Sequence, residues 1–345
     1  MTAPSGEIDC GESGVTLRFT IPISSLASAD IRLKGAEALL RRPLQPLVEA
    51  MKQMGVEVAL DQNGVRVQGH PLGGRVQLPG DVSSQFISGL LLAGPLMRDG
   101  LELKVTSPLE SRGYVSLTLE AMKRHGVDVE AGGEMSRFKI APGQTYKTAD
   151  HDIPGDYSSS AFLMSAAAVT GSKILLQGLS EEETDPDSAF MGVLSEMGVK
   201  TSFAHNALTV EGAPMKAVNV SISDCPDLGP VVAVLGCYAD GETRMTGARR
   251  LRYKESDRLQ AMMNELRVLG GEVKGTDDGL TLSGPTPLHG GTVDSHGDHR
   301  IAMALTVAAL NATERVVITN AQCVSKSYPS FFNDIRSLGV EVVER

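Results

Sequence analysis

Apolar positions along this chain switch between the two-residue period of a strand and the longer period of a helix, and the switch recurs at a fixed distance. Residues 74–80, GRVQLPG, alternate as a strand does. DVSSQFISGLLLAGPLM, from Asp81, opens on hydrogen-bond acceptors and continues apolar, which predicts a capped helix. LELKVTS alternates again. YVSLTLEAMKRHG has helical spacing and stops at Gly126, where a left-handed C-cap suits glycine. VDVEAGG and RFKIAPG predict a two-strand hairpin. The order is β-α-β-α-β-β.

The end of the second helix returns five times, as MKQMGVEV (51–58), MKRHGVDV (122–129), LSEMGVKT (194–201), LRVLGGEV (266–273) and IRSLGVEV (335–342). Its glycines, Gly55, Gly126, Gly198, Gly270 and Gly339, are 71, 72, 72 and 69 residues apart. One unit of about 70 residues is used five times. The motif reads as structural punctuation, in which a helix ends, turns on glycine and enters a strand.

A second recurring place is the start of the first helix of each unit: GESGVTLR (11–18), GDVSSQF (80–86), GDYSSSA (155–161), DCPDLGP (224–230) and HGDHRIA (296–302). N-capping explains any one of these. Units packed around a pseudo-axis would also bring unpaired amides and positive helix ends together, which favours phosphate and carboxylate ligands. Basic residues fall at or near these starts: Arg18, Arg42, Lys254, Arg258, Arg300 and Lys326. LRYKESDRLQAM (251–262) is the densest stretch and predicts a helix opening on Lys254, Glu255, Asp257 and Arg258. Lys254 and Arg258 are like-charged at a helical spacing, which a bound anion would relieve. Asp298, His299 and Arg300 precede a wholly apolar helix.

Composition narrows the chemistry. The chain has 345 residues, room for two domains, and 41% hydrophobic residues. No apolar run approaches the roughly 18 residues of a membrane span. The net charge of −10 and aromatic content of 4% argue against a nucleic-acid surface. The four cysteines, Cys10, Cys225, Cys237 and Cys323, are far apart and suit reduced, buried thiols, and no cysteine–histidine cluster suggests a metal. A small-molecule enzyme of the cytoplasm follows, with anions held at local positive ends.

SSQF, GD-SS, KESDRL, DHRIAM and C-SKSYP, in that order, resemble the 3-phosphoshikimate 1-carboxyvinyltransferase (5-enolpyruvylshikimate-3-phosphate synthase) family over nearly the whole chain. The resemblance implies an α/β (α+β) two-domain enolpyruvyl transferase-like fold of βαβαββ units around a pseudo-threefold axis, closing on substrate. Here the first domain would be 1–150, with two of three units, and the second 151–345, with three. It implies transfer of the enolpyruvyl group of phosphoenolpyruvate to the 5-hydroxyl of shikimate 3-phosphate, without cofactor or metal, by a protein expected to be monomeric. Ser83, Ser84, Gln85, Ser111 and Tyr114 correspond to shikimate 3-phosphate contacts, with Asp227 and Lys254. Gly14, Arg42, Gln85, Arg258, Arg300 and Lys326 correspond to the phosphoenolpyruvate site. Asp227 resembles the acceptor of the hydroxyl proton and Lys254 its neighbour. Glu255 resembles the acid/base that protonates the methylene carbon and later removes a proton. The resemblance implies that His299 orients neighbouring groups. SRGY replaces the family's Ser-Lys-Pro-Tyr, which makes Arg112-Gly113 a loop variation, and Arg250 stands where many members carry asparagine.

The resemblance also implies a sixth unit, on an N-terminal segment of about 80 residues, a little over one repeat. That segment supplies a strand of the second domain and a Lys-Ser…Arg motif. The expectation is therefore a truncated member with exposed apolar faces prone to self-association, and weak or no activity unless another chain supplies the unit. Two other readings stay open: a non-catalytic binder of phosphorylated metabolites, and the sister transferase acting on UDP-N-acetylglucosamine. The latter generally carries a cysteine five residues before an Arg-Pro pair, where this chain has Glu37 before Arg42-Pro43.

Overall fold

The computed structural model describes residues 6–27, 29–181 and 185–344. The chain divides into two compact units, Met1–Asp152 and Ile153–Arg345, each with its own apolar core.

The recurring helix end has one physical cause in all five copies. The glycines have φ of 81°, 79°, 96°, 87° and 94°, a region glycine enters without a Cβ penalty. The residue after each glycine returns its N–H to the carbonyl five residues back: Val56 to Met51, Val127 to Met122, Val199 to Leu194, Gly271 to Leu266 and Val340 to Ile335. This is a Schellman cap, which joins the residue after the glycine to one in the last helical turn. In the first three copies both apolar partners are buried. The motif repeats because each cap needs glycine for the turn, and in the first three copies a buried apolar pair seals it.

Sheets follow the predicted unit. In the second copy Gly74–Leu78 runs parallel to Leu101–Val105, which pairs antiparallel with Arg137–Ile140, and the short Glu130–Ala131 closes the order. The same order joins Ile8–Asp9, Ile31–Lys34, Gly64–Gln68 and Glu57–Asp61. It recurs in Asn219–Ser221, Gly241–Thr246, Leu280–Gly284 and Glu272–Gly275. Among the described residues the third copy has three strands, and the fifth has two, Gly291–Asp294 and Val316–Thr319. The strand expected after Gly339 does not form: residues 340–344 are irregular. An extended segment becomes a strand only when a neighbour satisfies its backbone, and these residues have no ladder partner among those described.

In the first unit, helix Gly14–Ser25 packs against helix Ser84–Ala93, which in turn packs against Arg112–Arg124. The first crossing is close because of Gly89, where a Cβ would lie 2.9 Å from the Arg18 carbonyl oxygen. Pro22, on the same helix as Arg18, lines this crossing and has no N–H to return to that carbonyl. The exposed large apolar residues, Val15, Leu60, Leu72, Leu96 and Tyr146, are spread along the unit and do not form one helix face.

In the second unit, helices Tyr157–Thr170, Gly229–Tyr238 and His299–Ala309 pack against one another in all three pairings. They are apolar around nearly their whole circumference, as fully buried helices must be. Among the described residues, no helix is long and apolar enough to cross a membrane.

Candidate active site

The helix starts differ in chemistry. Ser13 Oγ accepts from Thr16 N (3.1 Å) and Ser83 Oγ from Gln85 N (3.3 Å). Asp156 accepts from Ser158 N and Ser159 N, and Asp298 Oδ1 from Arg300 N (3.0 Å). In these four copies N-capping is real. The fourth departs: a 3₁₀ turn, Pro226–Leu228, leads into the helix with no side-chain cap, so the Asp227 carboxylate serves other partners.

Those partners are cations. Lys254 Nζ lies 3.1 Å and Arg258 Nη1 2.8 Å from Asp227 Oδ1, while Arg300 Nη2 lies 3.1 Å from Oδ2. Arg258 is 1% exposed and is the hub. Its Nε and Nη2 meet Asp298 Oδ2 (2.8 Å) and Oδ1 (3.2 Å), and Nη2 also meets Glu255 Oε2 at 2.7 Å. Ser256 Oγ donates to Asp298 at 3.1 Å. The helix expected to open at Lys254 instead begins at Arg258, capped by Asp257, after a 3₁₀ segment Arg249–Tyr253. Lys254 and Arg258 are therefore not neighbours on a helix face. Their like charges are reconciled by the shared Asp227 carboxylate, where the sequence suggested a bound anion.

The charges tune one another. Burial alone would raise the Asp227 carboxyl, but Arg300, Lys254 and Arg258 outweigh it and hold it well below the usual carboxylate range. Burial pushes the Lys254 ammonium down, against the pull of Asp227. Arg258 loses by burial and gains more from Asp298, Glu255 and Asp227, so it stays charged. His299 is pushed down to about 4, by burial first and then by Arg258 and Arg300, and is neutral at pH 7. Its Nδ1 is 3.9 Å from Asp298 Oδ1, beyond hydrogen-bond distance.

The loop before Asp298 is fastened from a helix far away in sequence. Glu265 Oε1 meets His296 Nε2 at 2.8 Å, and its Oε2 accepts from Asp294 N at 3.0 Å. Lys326 Nζ donates to the Gly297 carbonyl at 2.9 Å. Arg250 Nη2 donates to the Ser223 carbonyl at 2.6 Å, in the segment leading to Asp227.

The first unit brings together a separate set. A Cβ on Gly14 would lie 3.1 Å from Arg42 Nη1 and 3.4 Å from Arg18 Nη1, so two guanidinium groups flank one backbone position at a helix start. Arg18 Nη1 donates to Gln85 Oε1 at 2.7 Å. Ser83, Ser84 and Ser111 are buried, while Gln85 and Tyr114 are half-buried. Ser111 precedes its helix at φ 54°, a conformation that costs a serine free energy. Arg112 Nε donates to the Leu109 carbonyl, giving the varied loop a local fastening. Among the described residues no group of three or more His, Cys, Asp or Glu is placed to hold a metal ion.

Residues 1–335 match the family EPSP synthase (3-phosphoshikimate 1-carboxyvinyltransferase). The chain belongs to the EPSP synthase family. It is 38% identical to the 3-phosphoshikimate 1-carboxyvinyltransferase of Methanocorpusculum labreanum, over 98% of this chain and 80% of that protein. Identity to the Clostridium novyi protein of the same name is 36%, over 98% and 78%. The solved EPSP synthase of Acinetobacter baumannii superposes with a TM-score of 0.79 at 26% identity, over 97% of this chain and 79% of that one. The enolpyruvyl transferase NikO of Streptomyces tendae shares the fold, with a TM-score of 0.73 at 18% identity, over 99% and 96%.

Within this EPSP synthase family member, two residues stand out that the motif comparison did not assign to the site. Asp298 was visible as part of an Asp-His-Arg triplet, but its bond to Arg258 was not. Glu265 carries no sequence signal, because its partners lie about 30 residues away on a loop.

Proposed function

We propose that this chain transfers the enolpyruvyl group of phosphoenolpyruvate to the 5-hydroxyl of shikimate 3-phosphate and releases phosphate. The observation that carries this reading is Asp227: a carboxylate released from capping duty and bridged by Lys254, Arg258 and Arg300, with Glu255 on the same arginine.

Asp227 accepts the hydroxyl proton as the substrate oxygen attacks. Its three cations make it a weak base. Substrate phosphate and carboxylate groups compete for Lys254 and Arg300, withdraw part of that stabilisation and raise its basicity. Glu255 delivers a proton to the methylene carbon of phosphoenolpyruvate, so that carbon becomes a methyl group and the neighbouring carbon takes the hydroxyl oxygen. In the second half Glu255 takes a methyl proton back as the C–O bond to phosphate breaks, and the departing phosphate carries off the proton that Asp227 accepted, which returns both carboxyl groups to their starting states. Arg258 keeps Asp227 ionised and holds the Glu255 carboxyl group in register with it, so that Glu255 can enter the first half protonated, and neutral His299 packs beside it without adding charge.

From the first unit we assign Gly14, Arg42 and Gln85 to phosphoenolpyruvate, and Ser83, Ser84, Gln85, Ser111 and Tyr114 to shikimate 3-phosphate. From the second we assign Arg258, Arg300 and Lys326 to phosphoenolpyruvate. Arginine suits carboxylate and phosphate, which it can grip at two points.

The test is phosphate release from the two substrates together, with calorimetric binding of each alone. Turnover that falls by roughly 100-fold or more in Asp227→Asn and Glu255→Gln is the expected result. Binding without turnover in the unmodified chain would favour a non-catalytic binder of phosphorylated metabolites. Absence of binding to either compound would overturn the assignment.

A further inference from the structure

We infer that Arg18 is a positioning residue that orients the side-chain amide of Gln85, so that Gln85 offers N–H donors, and not its carbonyl oxygen, to an anionic substrate. The identity of that substrate rests on the function proposed above. The geometry stands within the first unit alone.

Arg18 lies one helical turn after Gly14, and Gln85 lies in the first turn of the neighbouring helix. Their side chains meet across the crossing, Arg18 Nη1 donating to Gln85 Oε1 at 2.7 Å. The guanidinium is also supported from below, with its central carbon 5.5 Å from the centre of the buried Phe86 ring, within cation–π range.

A glutamine amide has one accepting and one donating end, and only its partners decide which way it faces. The reversed orientation would set NH₂ donors against guanidinium donors. Arg18 therefore fixes the carbonyl end toward itself and turns Nε2, with its two N–H groups, the other way. A carboxylate or a phosphate dianion only accepts hydrogen bonds, so this is the end it requires. Gly14 adds to the argument, since the Nη1 atoms of Arg18 and Arg42 both approach the space a Cβ would occupy. An anion received there meets positive charge from two directions.

The experiment compares Arg18→Met, Arg18→Lys and Gln85→Glu with the unmodified chain. It reads calorimetric Kd for phosphoenolpyruvate and for shikimate 3-phosphate, KM and kcat where turnover is present, and thermal unfolding. Arg18→Met keeps an apolar stem on Phe86 and removes the donors. It should weaken binding of at least one substrate by roughly 10-fold, the scale of one hydrogen bond to a charged group, with KM moving more than kcat. Arg18→Lys, which keeps a donor, should recover part of that loss. Gln85→Glu should weaken binding more than Arg18→Met, because its carboxylate would bond Arg18 through one oxygen and turn the other toward the anion.

Arg18→Met with unaltered Kd values overturns the inference even if its unfolding temperature falls, since that is the mark of a merely structural residue. Gln85→Glu binding as tightly as the unmodified chain overturns it too. An unmodified chain that binds neither compound overturns the proposed function, and the inference falls with it.

Discussion

Arg258 and Asp298 meet through two hydrogen bonds in the interior of the second unit, Nε to Oδ2 at 2.8 Å and Nη2 to Oδ1 at 3.2 Å, with the arginine 1% exposed and the aspartate 0%. The same aspartate caps the helix that carries Arg300. One buried pair thus ties the strand-to-helix turn of the fifth repeat to the helix start of the fourth. Asp227 takes the remaining nitrogen, Nη1, and Glu255 shares Nη2 with Asp298.

Removing one partner should be costly. Arg258→Met would leave Asp298 and Asp227 without their central cation, and breaking a buried ion pair from one side typically costs about 3–5 kcal/mol. Asp298→Asn should cost less, because an amide oxygen can still cap the helix and accept from Arg258. Urea unfolding of both variants at pH 7 checks the order. Equal stability of Arg258→Met and the unmodified chain would contradict the hub.

His299 predicts a specific pH response. Its imidazole is held down to about 4 in the fold by burial, Arg258 and Arg300, against an ordinary 6.5. As pH falls through 6.5, the unfolded chain takes up this proton first, so stability declines until about pH 4. The contribution is at most about 3 kcal/mol by linkage. Asp227 is lowered as well, and as an acid it contributes stability above about pH 4 that is lost only as pH falls further. Unfolding free energies at pH 7 and pH 4.5 should therefore converge in His299→Gln relative to the unmodified chain.

Two glycines test the separation between scaffold and site. At Gly55 a Cβ meets nothing within 4 Å, but φ is 81°, so Gly55→Ala should cost about 1 kcal/mol of stability and leave ligand binding unchanged. At Gly14 a Cβ would press on Arg42 Nη1 at 3.1 Å. Gly14→Ala should leave stability nearly unchanged and weaken phosphoenolpyruvate binding by roughly tenfold through the displaced guanidinium. Thermal unfolding and calorimetry on the pair read both quantities.

The cysteines predict a slow chemical readout. All four are free and buried, and burial pushes the Cys225 and Cys237 thiols up to about 12. A disulfide reagent at pH 8 should find almost no reactive thiol in the native chain and four after denaturation, because thiolate is the attacking form. Rapid native labelling would contradict this burial.

The features legible in the amino-acid sequence are those made within a few residues of chain. The five helix ends were readable because glycine, the turn and, in the first three, the apolar seal all fall within six consecutive residues, as with Met51–Val56. Helix caps at Ser13, Ser83, Asp156 and Asp298 were readable for the same reason. The site residues were legible by resemblance, but their connections were not. That Asp227 gives up capping to hold three cations, that Arg258 joins a carboxylate 40 positions away, and that Arg18 orients an amide 67 positions away all depend on how the repeats pack. Charge interactions reach through space and gain strength as water is excluded, so only tertiary structure, which sets both distance and burial, could decide them.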